Sequence, residues 1–155
     1  MISDHDVGMA RPADATRIAE MSRELIEYGL GWKWTAPRIL RCMRDSATNV
    51  AVAREEHRVV GFAIMKYEDE EAHLLLFAVN AAHRRKGVGS ALLSWLETTA
   101  LTAGIGLVYL EARTRNVEAR AFYRRRGYIE VRRVPNMYRG IEDGMRIAKD
   151  LWLKP

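Results

Sequence analysis

The run Leu74-Leu75-Leu76-Phe77-Ala78-Val79 is the longest clean apolar stretch of the chain, and shortly after it stands Arg84-Arg85-Lys86-Gly87-Val88-Gly89-Ser90. A membrane-spanning helix needs about 20 apolar residues, so the run is a strand and not a span. Behind the glycines, Gly87–Ala103 sets Val88, Ala91, Leu92, Trp95, Leu96 and Thr99 on one face of a helix. Gly104 and Gly106 end that helix before a second β-rich run, Leu107–Arg113. Strand, glycine turn, helix and strand in this order commit the chain to a mixed α/β sheet. Ligands in such sheets favour the carboxyl ends of the strands, which points just beyond Val79 and Leu110.

The remaining segments fit around that unit. Val7–Arg11 reads as a short strand, and Ala13-Asp14 opens a helix carrying Ile18, Met21, Leu25 and Ile26 that Gly29 and Gly31 stop. Thr35 caps a second helix, with Pro37 in its first turn and Ile39, Leu40 and Met43 along it. Asn49–Arg54 and Val59–Tyr67 form a hairpin across Glu55-Glu56-His57-Arg58, and Glu68-Asp69-Glu70-Glu71 turns tightly into His73–Val79. After Leu107–Arg113, a helix spans Val117–Arg126, Gly127 ends it, and strands Tyr128–Val134 and Gly144–Leu151 close the chain. Nothing repeats at a period of 20–50 residues. The 155 residues therefore read as a single domain, 1–155.

At 48% hydrophobic and 29% charged, the chain is far from the disordered range. Its one cysteine, Cys42, supplies neither an intramolecular disulfide nor a zinc cluster, and the acidic start Met1–Asp6 does not resemble a secretory leader. Both features point to the cytoplasm. The net charge of +5 is Arg-heavy, with Arg113, Arg115, Arg120, Arg124, Arg125, Arg126, Arg132 and Arg133 in one stretch. Such a stretch is either a footprint for a phosphate-rich ligand or nucleic acid, or a solvated helix face.

The Arg84–Ser90 turn has the chemistry of an anion cradle. Two glycines one residue apart let backbone approach a ligand closely. The first amides of the following helix have no intrahelical partner and sit at the positive end of its dipole. The turn is neither a Walker loop nor Gly-x-Gly-x-x-Gly, because position 92 is Leu92. A second constellation runs from Leu110 to Tyr128. There Asn116 caps a helix, Ala119, Phe122 and Tyr123 share one face, Arg120, Arg124 and Arg125 turn to water, and Gly127 supplies the left-handed cap.

The two segments together resemble the GNAT superfamily of N-acetyltransferases. The family's turn Gln/Arg-x-x-Gly-x-Gly/Ala is met by Arg84, Gly87 and Gly89. Its signature Asn-x-x-Ala-x-x-Phe/Leu-Tyr-x-x-x-Gly-Phe/Tyr is met by Asn116, Ala119, Phe122, Tyr123, Gly127 and Tyr128. The ending Met137–Arg146 is similar to the close of the branch that acetylates protein N-termini, including that of a ribosomal protein. The resemblance implies a mixed, mostly antiparallel sheet, splayed between two central parallel strands and flanked by about four helices. It further implies acetyl transfer from acetyl-CoA to a primary amine, by direct attack in a ternary complex without a metal.

On that resemblance, the backbone of Phe77, Ala78 and Val79 holds the pantetheine arm and polarises the thioester. Arg84, Arg85, Lys86, Gly87, Val88, Gly89 and Ser90 form the pyrophosphate turn, and Asn116 contacts the cofactor near the pantetheine. Tyr123 is the candidate general acid for the departing thiolate. Glu111 is the candidate base, acting through water, with a salt bridge to a neighbouring arginine as its alternative role. Three residues depart from the family pattern: Ala81 stands for a proline, Arg85 for a glycine, and Arg115 for the serine before Asn116. Trp32 and Trp34 wall the acceptor or pack the first two helices together. His73 and His83 lack metal-spaced partners, Cys42 is packing, and His5 and His57 are surface. A non-catalytic acyl-CoA-binding regulator is the second reading and a basic nucleic-acid-binding module the third, the latter lacking any aromatic-stacking motif. The acceptor stays open among protein N-terminus, lysine and small amine, monomer and homodimer both fit, and no membrane partner is expected.

Overall fold

The computed structural model describes residues 6–153. The acidic start through His5, and the last two residues, lie outside the described part. Seven strands form one sheet: β1 (Asp6–Met9), β2 (Thr48–Glu55), β3 (Arg58–Tyr67), β4 (Glu71–Val79), β5 (Leu107–Arg113), β6 (Ile129–Tyr138) and β7 (Glu142–Asp150). Their order is β1-β2-β3-β4-β5-β7-β6. Every pairing is antiparallel except that of β4 with β5. Helices α1 (Ala15–Leu25) and α2 (Ala36–Arg44) cover one face, and α3 (Val88–Thr102) and α4 (Val117–Arg125) the other. This is the mixed, mostly antiparallel architecture with four helices that the motifs imply. None of the described helices is long and apolar enough to cross a membrane.

Two cores sandwich the sheet. Ile18, Met21 and Ile39 from α1 and α2 pack on Val50, Val52, Phe62 and Ile64. On the other face, Leu92, Leu93, Leu96 and Ala100 of α3 pack on Ala51, Ala63, Met65, Leu74 and Val108. The single-stripe reading of α3 omitted Leu93 and included Trp95, which is only half-buried. The helix lies across β1 to β4, so its buried arc is wider than one stripe. Strand β6 also runs four residues past the expected Val134, to Tyr138. It is an edge strand whose register slips between Val134 and Tyr138. Pro135 fits there because an edge leaves one row of N–H groups unpaired in any case.

The placement of the site depends on one extra residue in β4. Against β3, Ile64 pairs with Leu76 but Met65 pairs with Leu74, so Leu75 is a bulge. The bulge swaps the faces of the strand: Leu74 joins the α3 core, whereas Leu76 and Ala78 join the α1 core. The pairing of β4 with β5 ends at the same point, with Leu74 opposite Leu110. Beyond it β4 keeps β3 as far as Val79, and β5 keeps β7 as far as Arg113, but the two no longer meet. The expected splay is therefore present.

An ion pair fixes how the chain enters this sandwich. Asp14 ends a 3-10 turn (Pro12–Asp14) that precedes α1, so the helix proper begins at Ala15, later than Ala13-Asp14 suggests. Its carboxylate accepts from Arg11 N–H at 2.8 Å and from Arg54 Nη1 and Nη2 at 3.0 and 2.5 Å. Burial pushes the Asp14 pKa up, but these donors outweigh it and hold the carboxyl below the usual range. Asp14→Ala leaves Arg54 buried without its partner and is expected to cost about 3 kcal/mol in urea unfolding. Because the folded-state pKa is depressed, the stabilisation is full above about pH 4 and disappears as pH falls through the folded value. The gap in melting temperature between wild type and Asp14→Asn should hold from pH 8 to 5 and close in more acidic buffer. A gap independent of pH would contradict this assignment.

Candidate active site

The splay opens a cleft of about 680 Å³. One wall is β4 from Leu74 to Val79, the other is β5 from Leu110 to Arg113, and α4 lies along it. Arg84, Arg85 and Gly89 stand at the end under α3; Leu25, Tyr28 and Tyr138 stand at the end under α1. The cleft thus crosses the sheet from one helical layer to the other. A larger hollow, about 1010 Å³, lies at the opposite ends of β4 and β5. It is rimmed by Glu68, Asp69, Glu70, Glu71 and Asp150 and holds none of the site residues.

At the α3 end the backbone turns sharply. Gly87 caps α3 with φ +83°, and Arg85 also adopts the left-handed region, with φ +63°. A non-glycine residue in that region carries a strain cost of order 1 kcal/mol. Such curls gather N–H groups into a concavity for an anion. The amides of Val88, Gly89 and Ser90 precede the first helical bond, from Ala91 N–H to Gly87 O at 3.0 Å. Arg84 folds back, donating from Nε to Val79 O at 3.2 Å. The Val88 side chain packs with Ala53 and Val60 under the sheet, so only its backbone can face a ligand. Lys86, Gly87, Val88 and Ser90 lie just outside the cleft lining, whereas Phe77, Ala78, Val79, Arg84, Arg85, Gly89 and Asn116 are part of it. Asn116 caps α4, its Oδ1 accepting from Ala119 N–H at 3.1 Å.

Glu111 and Tyr123 face the middle of the cleft. The Glu111 side chain is 7% exposed and both its oxygens are engaged. Oε1 lies 2.7 Å from His73 Nε2, and Oε2 accepts from Arg146 Nε and Nη2 at 2.9 and 2.7 Å. Burial pushes its pKa up, but His73 and Arg146 outweigh burial and hold the carboxyl below its ordinary range. It is therefore an anion in neutral solution, and the ring nitrogen of His73 donates to it. Tyr123 packs edge-on against Phe122 and Tyr128, and burial pushes its phenol pKa well up, keeping it protonated. Tyr138, beside them, is pushed up to about 12 by burial and by the Glu111 charge.

The segment between α1 and α2 closes the far end. Glu27, itself buried, accepts from Ser22 Oγ at 2.8 Å, Lys33 N–H at 2.7 Å and Trp34 N–H at 3.3 Å. Arg113 donates from Nη2 to the carbonyls of Ile26 and Tyr28, at 3.2 and 2.6 Å. Trp34 lies under Arg38 and Trp32 under Arg23, and neither tryptophan lines the cleft. Arg115 points to Glu142 at 3.4 Å and leaves the mouth clear. Sequence reasoning missed His73, Tyr138, Arg146, Glu27 and Tyr28 here. Their roles depend on which strands and loops become neighbours, and no local spacing carries that.

A family profile described as the Acetyltransferase (GNAT) family matches residues 16–128. An uncharacterized N-acetyltransferase of Methanocaldococcus jannaschii is 35% identical over 99 residues, 63% of this chain and 64% of that protein. The [ribosomal protein bS18]-alanine N-acetyltransferase of Salmonella typhimurium is 33% identical over 96 residues, covering 60% of this chain and 65% of the relative. The matched stretch thus spans a little under two thirds of each relative's length. Among solved structures, Ard1 from Thermoplasma volcanium superposes with a TM-score of 0.84 at 29% identity, over 96% of this chain and 99% of that one.

Gly89 has a packing role that is separable from any ligand. A Cβ at this position would stand 2.9 Å from Phe122 Cε1, so the first turn of α3 rests directly on the α4 ring. Gly89→Ala is expected to lose about 1–2 kcal/mol through overpacking, and Phe122→Leu in the same chain to restore most of it. Urea unfolding showing Gly89→Ala as stable as wild type would mean the ring yields freely.

Proposed function

The chain belongs to the GNAT acetyltransferase family, and on that footing we propose that it transfers an acetyl group from acetyl-CoA to the α-amino group of a protein N-terminus. The observation that carries the reading is the cleft between β4 and β5, with a free strand edge on one side and a curled amide loop at one end. Acetyl-CoA supplies a thioester, an acyl donor whose thiolate leaves readily because thiols have pKa values of about 8.5. Its pantetheine arm carries amides suited to the β4 edge that β5 no longer pairs, and its pyrophosphate is suited to the loop.

In this reading the backbone of Phe77, Ala78 and Val79 bonds the pantetheine arm and polarises the thioester carbonyl. Arg84, Arg85 and Lys86, with the amides of Gly87, Val88, Gly89 and Ser90, take the pyrophosphate, and Asn116 sits beside the pantetheine. The acceptor enters from the end walled by Tyr28 and Tyr138. Glu111 attracts the incoming ammonium and takes its proton through a water. Because His73 and Arg146 hold its pKa down, Glu111 passes the proton on to solvent and does not store it. The neutral nitrogen attacks the carbonyl carbon, the carbon–sulfur bond breaks, Tyr123 protonates the departing sulfur, and the proton shed by the new amide nitrogen restores the Tyr123 phenol through water. A phenol kept protonated by burial is suited to that step.

A protein N-terminus is supported by the activity named for the Salmonella relative, a ribosomal-protein alanine N-acetyltransferase. Thiol release should be measured with acetyl-CoA and three acceptor sets: peptides with a free N-terminus and blocked lysines, peptides with a blocked N-terminus and free lysine, and small polyamines. The first set should react and the others should lag at least tenfold. Equal rates with blocked N-termini would discard the acceptor assignment. No thiol release with any acceptor, despite coenzyme A binding, would favour an acyl-CoA-binding regulator. On the best acceptor, Tyr123→Phe is expected to lower kcat about 10²-fold, the low end for acid–base catalysis because the thiolate leaves well unaided. Glu111→Gln should lower kcat/KM by a similar factor.

A further inference from the structure

One arginine of the basic stretch, Arg126, reaches the first turn of α3. Arg120 and Arg124 face Glu130, with Arg120 Nε 2.6 Å and Arg124 Nη2 3.7 Å from it. Arg126, one residue past the end of α4, turns inward instead. Its guanidinium lies 3.9 Å over the Phe122 ring, and Nη1 donates to Phe122 O at 3.1 Å. Nε donates to Ser90 Oγ at 2.8 Å, and Nη2 donates to the same oxygen. No described carboxylate pairs with Arg126.

Two features of this contact point to an anion. A serine hydroxyl has one proton and two lone pairs, and here two N–H groups of one guanidinium converge on the oxygen, which is therefore the acceptor of this contact. Its remaining capacity is to donate, in a direction away from Arg126. In addition, a half-buried cation without a carboxylate sits against the first turn of α3, where the helix dipole is itself positive. That placement is electrostatically unfavourable until negative charge arrives beside it.

We propose that Arg126 is a positioning residue for the pyrophosphate: it turns the Ser90 hydroxyl into a dedicated donor to a phosphate oxygen. The inference rests on the assignment of the α3 N-terminus to the pyrophosphate of coenzyme A. It adds a non-local element to that assignment, because Arg126 reaches the ligand only through Ser90.

The test is a double-mutant cycle on the full chain. Coenzyme A, and separately pantetheine, which has no pyrophosphate, are titrated calorimetrically into wild type, Arg126→Met, Ser90→Ala and the double variant. Each single change should weaken coenzyme A about tenfold, as for loss of a hydrogen bond to a charged group, and the double should be no weaker than either single. Pantetheine affinity should be the same in all four. Arg126→Met keeps apolar cover over Phe122, so melting temperatures without ligand should agree within about 2 °C. A purely structural arginine would lower the melting temperature and weaken both ligands together, and that result would overturn the proposal. Tight coenzyme A binding by Arg126→Met would overturn it too, as would losses that multiply in the double variant. Arg126→Lys guards against misfolding: it keeps the charge but lacks the paired Nε and Nη2 donors, so it should fall between wild type and Arg126→Met. A wild type that binds no coenzyme A overturns the acetyl-transfer reading with it, an outcome distinct from an indifferent Arg126.

Discussion

Backbone N–H and C=O groups inside a protein need partners, and a sheet normally provides them row by row. This sheet stops doing so at one seam, between β4 and β5 beyond Leu74 and Leu110. The cause is local: Leu75 adds a residue to β4 that β3 does not match. A bulge bends its strand and redirects the side chains after it. Here it sends Leu76 and Ala78 into the α1 core and leaves Phe77 against Phe122 and Tyr123 of α4. The strand is clamped from both faces while one of its edges stays open. Rigid side-chain packing around an unsatisfied backbone edge lets the cleft persist without collapsing.

Charge is distributed unevenly along that cleft. Its α3 end carries the positive end of the helix dipole and a run of cations, among them Arg126, which no described carboxylate meets. Its centre carries Glu111, whose charge Arg146 and His73 already balance. A group balanced in this way holds its geometry because its partners offset the cost of burying its charge. The unbalanced end is the one that gains most when an anion binds. The aromatic contacts of Tyr123 with Phe77, Phe122 and Tyr128 carry that division of labour into the core, holding the phenol in place by packing alone.

What the sequence disclosed follows a physical line. Elements set by local periodicity or local turn chemistry were legible: the α3 helix, the left-handed Gly87 and Gly127, the Asn116 cap and the hairpin across Glu56 and His57. The family signature pointed to Arg84, Gly89, Asn116, Tyr123 and Glu111, and all five line the cleft. Features that depend on neighbouring strands were not legible. His73 meets Glu111 because β4 and β5 run parallel in one register, with His73 opposite Tyr109. Arg126 meets Ser90 because α3 rests on Phe122 through Gly89. Leu93 is buried because α3 covers four strands. The bulge at Leu75 did leave a trace: an apolar run that refuses to alternate is one in which both faces are in use.

A slot that passes through a sheet has two doors. The loop of Arg85 and Gly87 guards one, in the layer of α3 and α4; Tyr28 and Tyr138 flank the other, in the layer of α1 and α2. Two reactants arriving from opposite layers do not obstruct one another, and neither must leave before the other can enter. A bulky macromolecule can remain seated at its own door while the spent carrier departs through the other. On the proposed reading, donor and acceptor would each have a separate way into the slot.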